Sequence, residues 1–209
     1  MLTWVAGQAG LTGAILFAAG LLLAFYGYRL LRVSLPLICA ELGYAVGVTL
    51  SPWTGWTMLI VVPLLIMLSG TTALVRPRAA AVVASGATWT FLGAFLASRL
   101  GLSGFAMWSL ATLLGIAGTG LMLVSRASMT VLLTSIHGAA WIMVGFVGLT
   151  ASLLPVVCTT FQVWADTERL VIPVLLAMLV TTAYTCQVNG LRGDLRVGAV
   201  SEPRESSPR

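Results

Sequence analysis

Lysine is absent from this chain, histidine occurs once, and charged residues of every kind make up only 8% of its 209 positions. Ordinary soluble domains carry roughly a quarter charged residues, so this polypeptide has too little polar surface to dress a globule in water. Its formal charge of +5 rests on scattered arginines. A nucleic-acid face would need such residues gathered on one soluble surface, so that class of partner is excluded. Three cysteines stand apart at Cys39, Cys158 and Cys186. With a single histidine they give no zinc-ligand spacing, and no disulfide framework is expected of them. Also missing are a Walker loop, a GxSxG elbow, an HExxH pair and paired aspartates, the patterns that nucleotide, acyl-transfer and metal chemistry need. Ser135 lies two residues from His137, a spacing that sends helical side chains to different faces instead of pairing a nucleophile with a base. Neither an enzyme, a cofactor nor a bound metal is expected.

What the chain has in abundance is hydrophobicity: 59% of its residues are apolar or aromatic, and the mean hydropathy is +1.02. Crossing about 30 Å of hydrocarbon takes about 20 mostly apolar residues. Seven windows of that kind fall near 10–28, 34–51, 57–75, 79–98, 106–124, 128–153 and 170–188. Hydrocarbon offers no partner to a bare N–H or C=O, so spans of this length must be helices; barrel strands would be about 10 residues of alternating polarity. The expected fold is therefore all-α, a polytopic transmembrane bundle over residues 1–188. A basic, polar and disordered tail rich in Arg, Glu, Ser and Pro is expected over 189–209. The first apolar stretch follows an uncharged start and precedes Arg29 and Arg32. That is the wrong flank for a cleaved signal peptide, so the span is expected to stay in the membrane.

Arginines supply the orientation. Arg29, Arg32, Arg76, Arg78, Arg126, Arg192, Arg196, Arg204 and Arg209 fall in alternate breaks or the tail, leaving only Arg99 and Arg169 opposite. Under the positive-inside rule this bias places the N-terminus outside and the C-terminus in the cytoplasm, in a plasma membrane or bacterial inner membrane. Trp4, Trp53, Trp56, Phe105, Trp108, Phe161 and Trp164 cluster near the ends assigned to the outside, the interfacial level that indoles prefer. Arg29, Arg76 and Arg126 each close an odd-numbered span, with separations of 47 and 50 residues. Three helical hairpins plus a seventh span result, which read either as parallel repeats about an axis along the membrane normal or as the regular spacing of any alternating chain.

Residues 16–47, LFAAGLLLAFYGYRLLRVSLPLICAELGYAVG, resemble the opening hairpin of the seven-span domain of transmembrane protein 198 and transmembrane 7 superfamily member 3. The resemblance lies in the Gly27-Tyr28-Arg29 turn with Arg32 after it, the glycine-bearing second helix, and Leu74-Val75-Arg76 closing the next odd span. It extends loosely to about residue 188. It implies a seven-helix membrane domain without a catalytic centre, whose animal members are associated with signalling instead of turnover of a substrate. Glu41 departs from the pattern, since such domains look apolar or small there, and no role carries over to it.

Glu41 is the residue to follow. Seven residues past Ser34, at about 1.5 Å per residue, it lies roughly 10 Å in from the arginine-rich face. An ionisable group at that depth is costly and turns toward the bundle interior, a partner or water. Glu41 follows Arg29 by 12 residues, Thr88 follows Arg76 by 12, and His137 follows Arg126 by 11. Hairpins around a common axis would bring Glu41, Thr88 and His137 to one level as a proton or cation site. The plainer alternative pairs Glu41 with Arg29 or Arg126, or opens it to a shallow vestibule, and ties His137 to a neighbouring helix. Gly43 and Gly47 form a GxxxG pair and Gly93 and Ala97 a small-xxx-small pair, for packing within the chain or in a homodimer. Pro63 is the candidate for a bend.

Two functional classes follow. In one, the bundle is a non-enzymatic scaffold or accessory subunit that holds another membrane protein; in the other, it is a channel or transporter-like protein with Glu41 and His137 in its path. The scaffold is favoured, because a permeation path normally needs more polar membrane residues than these. The expected partners are the lipid bilayer and either another membrane protein or a second copy.

Overall fold

The computed structural model describes residues 2–54 and 58–201, and every element among them is an α-helix. In chain order these are α1 (Leu2–Tyr26), α2 (Leu31–Thr54), α3 (Met58–Val75), α4 (Pro77–Arg99), α5 (Gly104–Val124), α6 (Arg126–Leu153), α7 (Pro155–Thr167) and α8 (Val171–Ser201). Helices α2 to α6 and α8 contain segments long and apolar enough to cross a membrane, and Gly10–Tyr26 of α1 is a shorter apolar helix. The outer faces carry large apolar side chains such as Leu59, Phe105 and Val124. This is the form of a multi-pass membrane protein, with lipid as its solvent.

Local chemistry sets the breaks. Arg76 and Leu154 adopt extended φ values of −130° and −137°. Each precedes a proline, whose ring pushes the preceding residue out of the helical region. Pro77 and Pro155 then open the next helices at a position where the missing N–H costs nothing. At the end of α4, Gly101 takes φ +79°. Its N–H donates to the Ser98 carbonyl (3.1 Å), and that of Leu102 to Ala97 (2.9 Å), a glycine-dependent closure of the last turn. Pro63 lies inside α3, and the helix runs through it.

The helices associate in antiparallel pairs: α1 packs most extensively on α6, α2 on α3, and α4 on α5. Along α1 and α6, Gly13 faces Leu149, Gly20 faces Ile142 and Gly27 faces Thr134. A Cβ on Gly20 would stand 2.6 Å from the Ile142 nitrogen, so this approach of backbones requires glycine. Helix α6 also touches α8, α7, α5, α4 and α2, which makes it the centre of the assembly. The buried cluster of Leu35, Ile38, Cys39, Ala73, Ala80, Ala84 and Leu133 draws α2, α3, α4 and α6 together.

The arrangement departs from the expectations in its pairing of helices and after residue 153. The sequence grouped successive spans as three hairpins, α1 with α2 and so on, whereas the extensive pairs are offset by one and join α1 to α6. Depth and polarity fix the order of spans along the membrane normal; which faces meet depends on the shape of the glycine surfaces. Residues 155–167, between the sixth and seventh apolar windows, form α7, started by Pro155. Residues 189–201, at the start of the expected tail, continue α8. No proline interrupts them before Pro203, and a helix already nucleated adds residues without a second nucleation cost, against the penalty of Gly190, Gly193 and Gly198. Helix α2 starts at Leu31, so Glu41 lies about 15 Å along it. Residues 202–209, with Arg204 and Arg209, and Trp56 lie outside the described residues.

Candidate functional site

Glu41, Thr88 and His137 occupy matching positions on α2, α4 and α6, each about 15 to 17 Å from the start of its helix by the rise per residue. They meet. His137 Nδ1 lies 2.8 Å from Glu41 Oε2, and His137 Nε2 lies 2.9 Å from Thr88 Oγ1. Trp141, one turn beyond His137 on α6, donates its indole N–H to the same Glu41 Oε2 at 2.9 Å. With Glu41 as the carboxylate, its oxygen accepts from Nδ1–H, and Nε2 of that tautomer accepts from the Thr88 hydroxyl. His137 and Thr88 are buried, whereas the Glu41 side chain keeps 35% of its surface accessible. Glu41 is also the only acidic residue before Asp166.

The order of carboxylate, imidazole and hydroxyl is also that of nucleophilic hydrolases, in which base and orienting acid activate an oxygen. Thr88 is only 5% exposed, and the described cavities are lined by other residues. The hydroxyl therefore has its hydrogen bond but no described opening for an acyl substrate. Among the described residues, no three His, Cys, Asp or Glu side chains stand close enough to hold a metal ion.

A second polar cluster had no counterpart in the sequence reading. Gln187 on α8 is 4% exposed and reaches the end of α1. Its Nε2 donates to the Ala24 carbonyl at 2.7 Å and the Leu23 carbonyl at 3.3 Å, with Ser135 Oγ also at 3.3 Å. Its Oε1 accepts from the Tyr28 N–H at 3.1 Å and Thr134 Oγ1 at 3.2 Å. The last carbonyls of a helix lack intrahelical partners, and Gln187 supplies one to Ala24 where lipid cannot, whereas Leu23 also accepts the Gly27 N–H at 3.0 Å. Ser34 does likewise, donating to the Gly27 carbonyl at 3.2 Å.

Most remaining hydroxyls in the spans are occupied locally. Ser69, Thr72, Thr119 and Thr181, for example, donate to carbonyls four residues back, which removes them from any polar path. No buried side-chain nitrogen or oxygen among the described residues lacks a partner. Gly43 and Gly47 face α3, with the Leu65 carbonyl and Val62 Cα against them. Arg29 and Arg76 flank the turns between successive spans, and Arg32, Arg78 and Arg126 stand on the first turns of α2, α4 and α6. At the opposite end, Arg99 lies 5.6 Å from the Phe95 ring centroid and donates to the Ala165 carbonyl of α7 at 3.5 Å. Comparison of the chain with protein-family models, curated proteins and solved structures finds no match.

Proposed function

We propose that this chain is a non-enzymatic, seven-span membrane scaffold or accessory subunit that holds a partner membrane protein against its helical surface. Its N-terminus lies outside and its arginine-rich end faces the cytoplasm, in a plasma membrane or bacterial inner membrane. The observation that carries the reading is the half-open carboxylate of Glu41, held through Oε2 by His137 and Trp141 yet 35% accessible within an apolar helix. Lipid cannot solvate that group. A partner helix bringing a hydroxyl, an amide or a basic side chain to the same flank can. Burial of Thr88 supports the non-enzymatic reading, because a nucleophile must meet its substrate. The resemblance to the seven-span domain of transmembrane protein 198 points to the same class.

Affinity purification in mild detergent tests this. Wild-type protein is expected to bring down a membrane partner near stoichiometry, and Glu41→Ala to lose it while remaining folded. Repeated recovery of the wild-type chain alone would count against the scaffold. One observation favours permeation as a second reading: Thr88, His137 and Glu41 form a continuous hydrogen-bonded chain across three helices. Proteoliposomes would then conduct protons or another ion, and Glu41→Gln would stop the flux. Silent wild-type liposomes across a broad ion panel remove this reading.

A further inference from the structure

The arginine-bearing end of the bundle holds a feature that the scaffold does not use. A cavity of about 660 Å³ opens among the first turns of α2, α4 and α6, inside the range of about 300–1,000 Å³ typical of small-ligand sites. Arg32, Arg78 and Arg126 line it, one from each helix. All three are exposed, and among the described residues no ion pair joins any of them. Three like charges around one space form a standing positive field that an anion relieves.

The rest of the lining decides which anion. Leu35, Ala73, Ala81 and Met122 form an apolar wall beneath the guanidiniums, and Leu35 and Ala73 belong to the buried core cluster. An inorganic anion would leave that wall facing water. An amphiphile satisfies both surfaces, with phosphate oxygens on the arginines and hydrocarbon along the wall. Guanidinium is also the side chain that matches phosphate with two parallel hydrogen bonds. We propose that this cavity binds the headgroup of an anionic phospholipid from the adjoining leaflet, with part of an acyl chain along the Leu35 and Met122 side. Arginines on the first turn of three spans sit at headgroup level, where basic pockets between helices take anionic lipids. The inference rests on the membrane reading alone and stands whether the chain is a scaffold or a permeation protein.

Native mass spectrometry of the purified full chain in mild detergent tests it. The probes are phosphatidylglycerol and phosphatidylcholine with identical acyl chains, with inorganic phosphate as a third arm. Wild-type protein is expected to retain one phosphatidylglycerol and to release phosphatidylcholine. The double variant Arg78→Gln, Arg126→Gln is expected to weaken retention about 25-fold, at about fivefold for each guanidinium. Arg76→Gln, outside the cavity, is expected to bind as wild type does. Ala81→Phe fills the space with all three arginines in place and is expected to displace the lipid, which general attraction to a charged surface would not explain. Equal retention of the two lipids would overturn the proposal. So would unchanged phosphatidylglycerol binding in the double variant and in Ala81→Phe, or full displacement by millimolar inorganic phosphate, which would assign the arginines to the free anion.

Discussion

His137 joins three helices through one ring, so its removal tests the interior more sharply than any apolar truncation of similar size. In His137→Ala, Glu41 keeps only Trp141 and Thr88 loses its side-chain partner. The expected loss is about 2–4 kcal/mol of stability, read by denaturation in detergent, because removing one member of a charged hydrogen-bonded pair strands the other. A double-mutant cycle with Glu41→Gln should return a coupling of about 1–2 kcal/mol; zero coupling would mean that the contact is not made. Gln187→Leu should cost about 1–3 kcal/mol, since it removes the partners of the Ala24 carbonyl and the Tyr28 N–H together. Thermal unfolding that matches wild type would refute that role. The two polar clusters differ in how much the sequence disclosed. Glu41, Thr88 and His137 share a depth that can be counted from the arginines, and depth is a one-dimensional quantity. Trp141 was within reach as well, one helical turn past His137 on the same face. Gln187 was not, because its meaning depends on where α1 ends and on α8 lying against that end, which no local pattern encodes.

At the scale of elements, glycine placement decides which helices touch. A Cβ on Gly43 would stand 2.6 Å from the Leu65 carbonyl and would also run into Ser69 Oγ. Gly43→Val is therefore expected to separate α2 from α3 and cost about 1–3 kcal/mol, as overpacking does, without changing the oligomeric state. Light scattering during size-exclusion chromatography, with a denaturation curve, checks both parts. Altered oligomerisation at unchanged stability would instead place Gly43 on a face between copies. Apolar runs and arginine-bearing breaks made the spanning helices readable in the sequence, since hydrocarbon permits little else. The partner of each helix was not readable. Gly13, Gly20 and Gly27 recur every seven residues, as do Gly138 and Gly145 on α6, a seam that becomes legible only when the two sets are laid antiparallel. At 189–201 a charged, glycine-containing stretch that reads as tail in sequence continues the helix that precedes it.

For the molecule as a whole, the strongest constraint is that Arg32, Arg78 and Arg126 line one cavity. A bilayer with helices threaded across it cannot bring the turn before α4 and the turn before α6 to one space unless both emerge on the same side. In the proposed orientation that side is the cytoplasm, and the packing of three antiparallel pairs supplies the common end. Cysteine labelling separates the two statements. In a chain whose native Cys39, Cys158 and Cys186 are replaced by alanine, Arg76→Cys and Arg126→Cys are expected to react alike with a membrane-impermeant thiol reagent. Leu102→Cys, in the turn between α4 and α5, is expected to react from the opposite compartment. Protection of Arg76→Cys and Arg126→Cys in intact cells, with exposure after permeabilisation, would establish the cytoplasmic assignment. Equal reactivity in intact cells would reverse the orientation but leave the bundle intact. Opposite behaviour of the two arginine positions would break the shared cavity and the common depth of Glu41, Thr88 and His137 together, since both depend on α4 and α6 entering the membrane from one face.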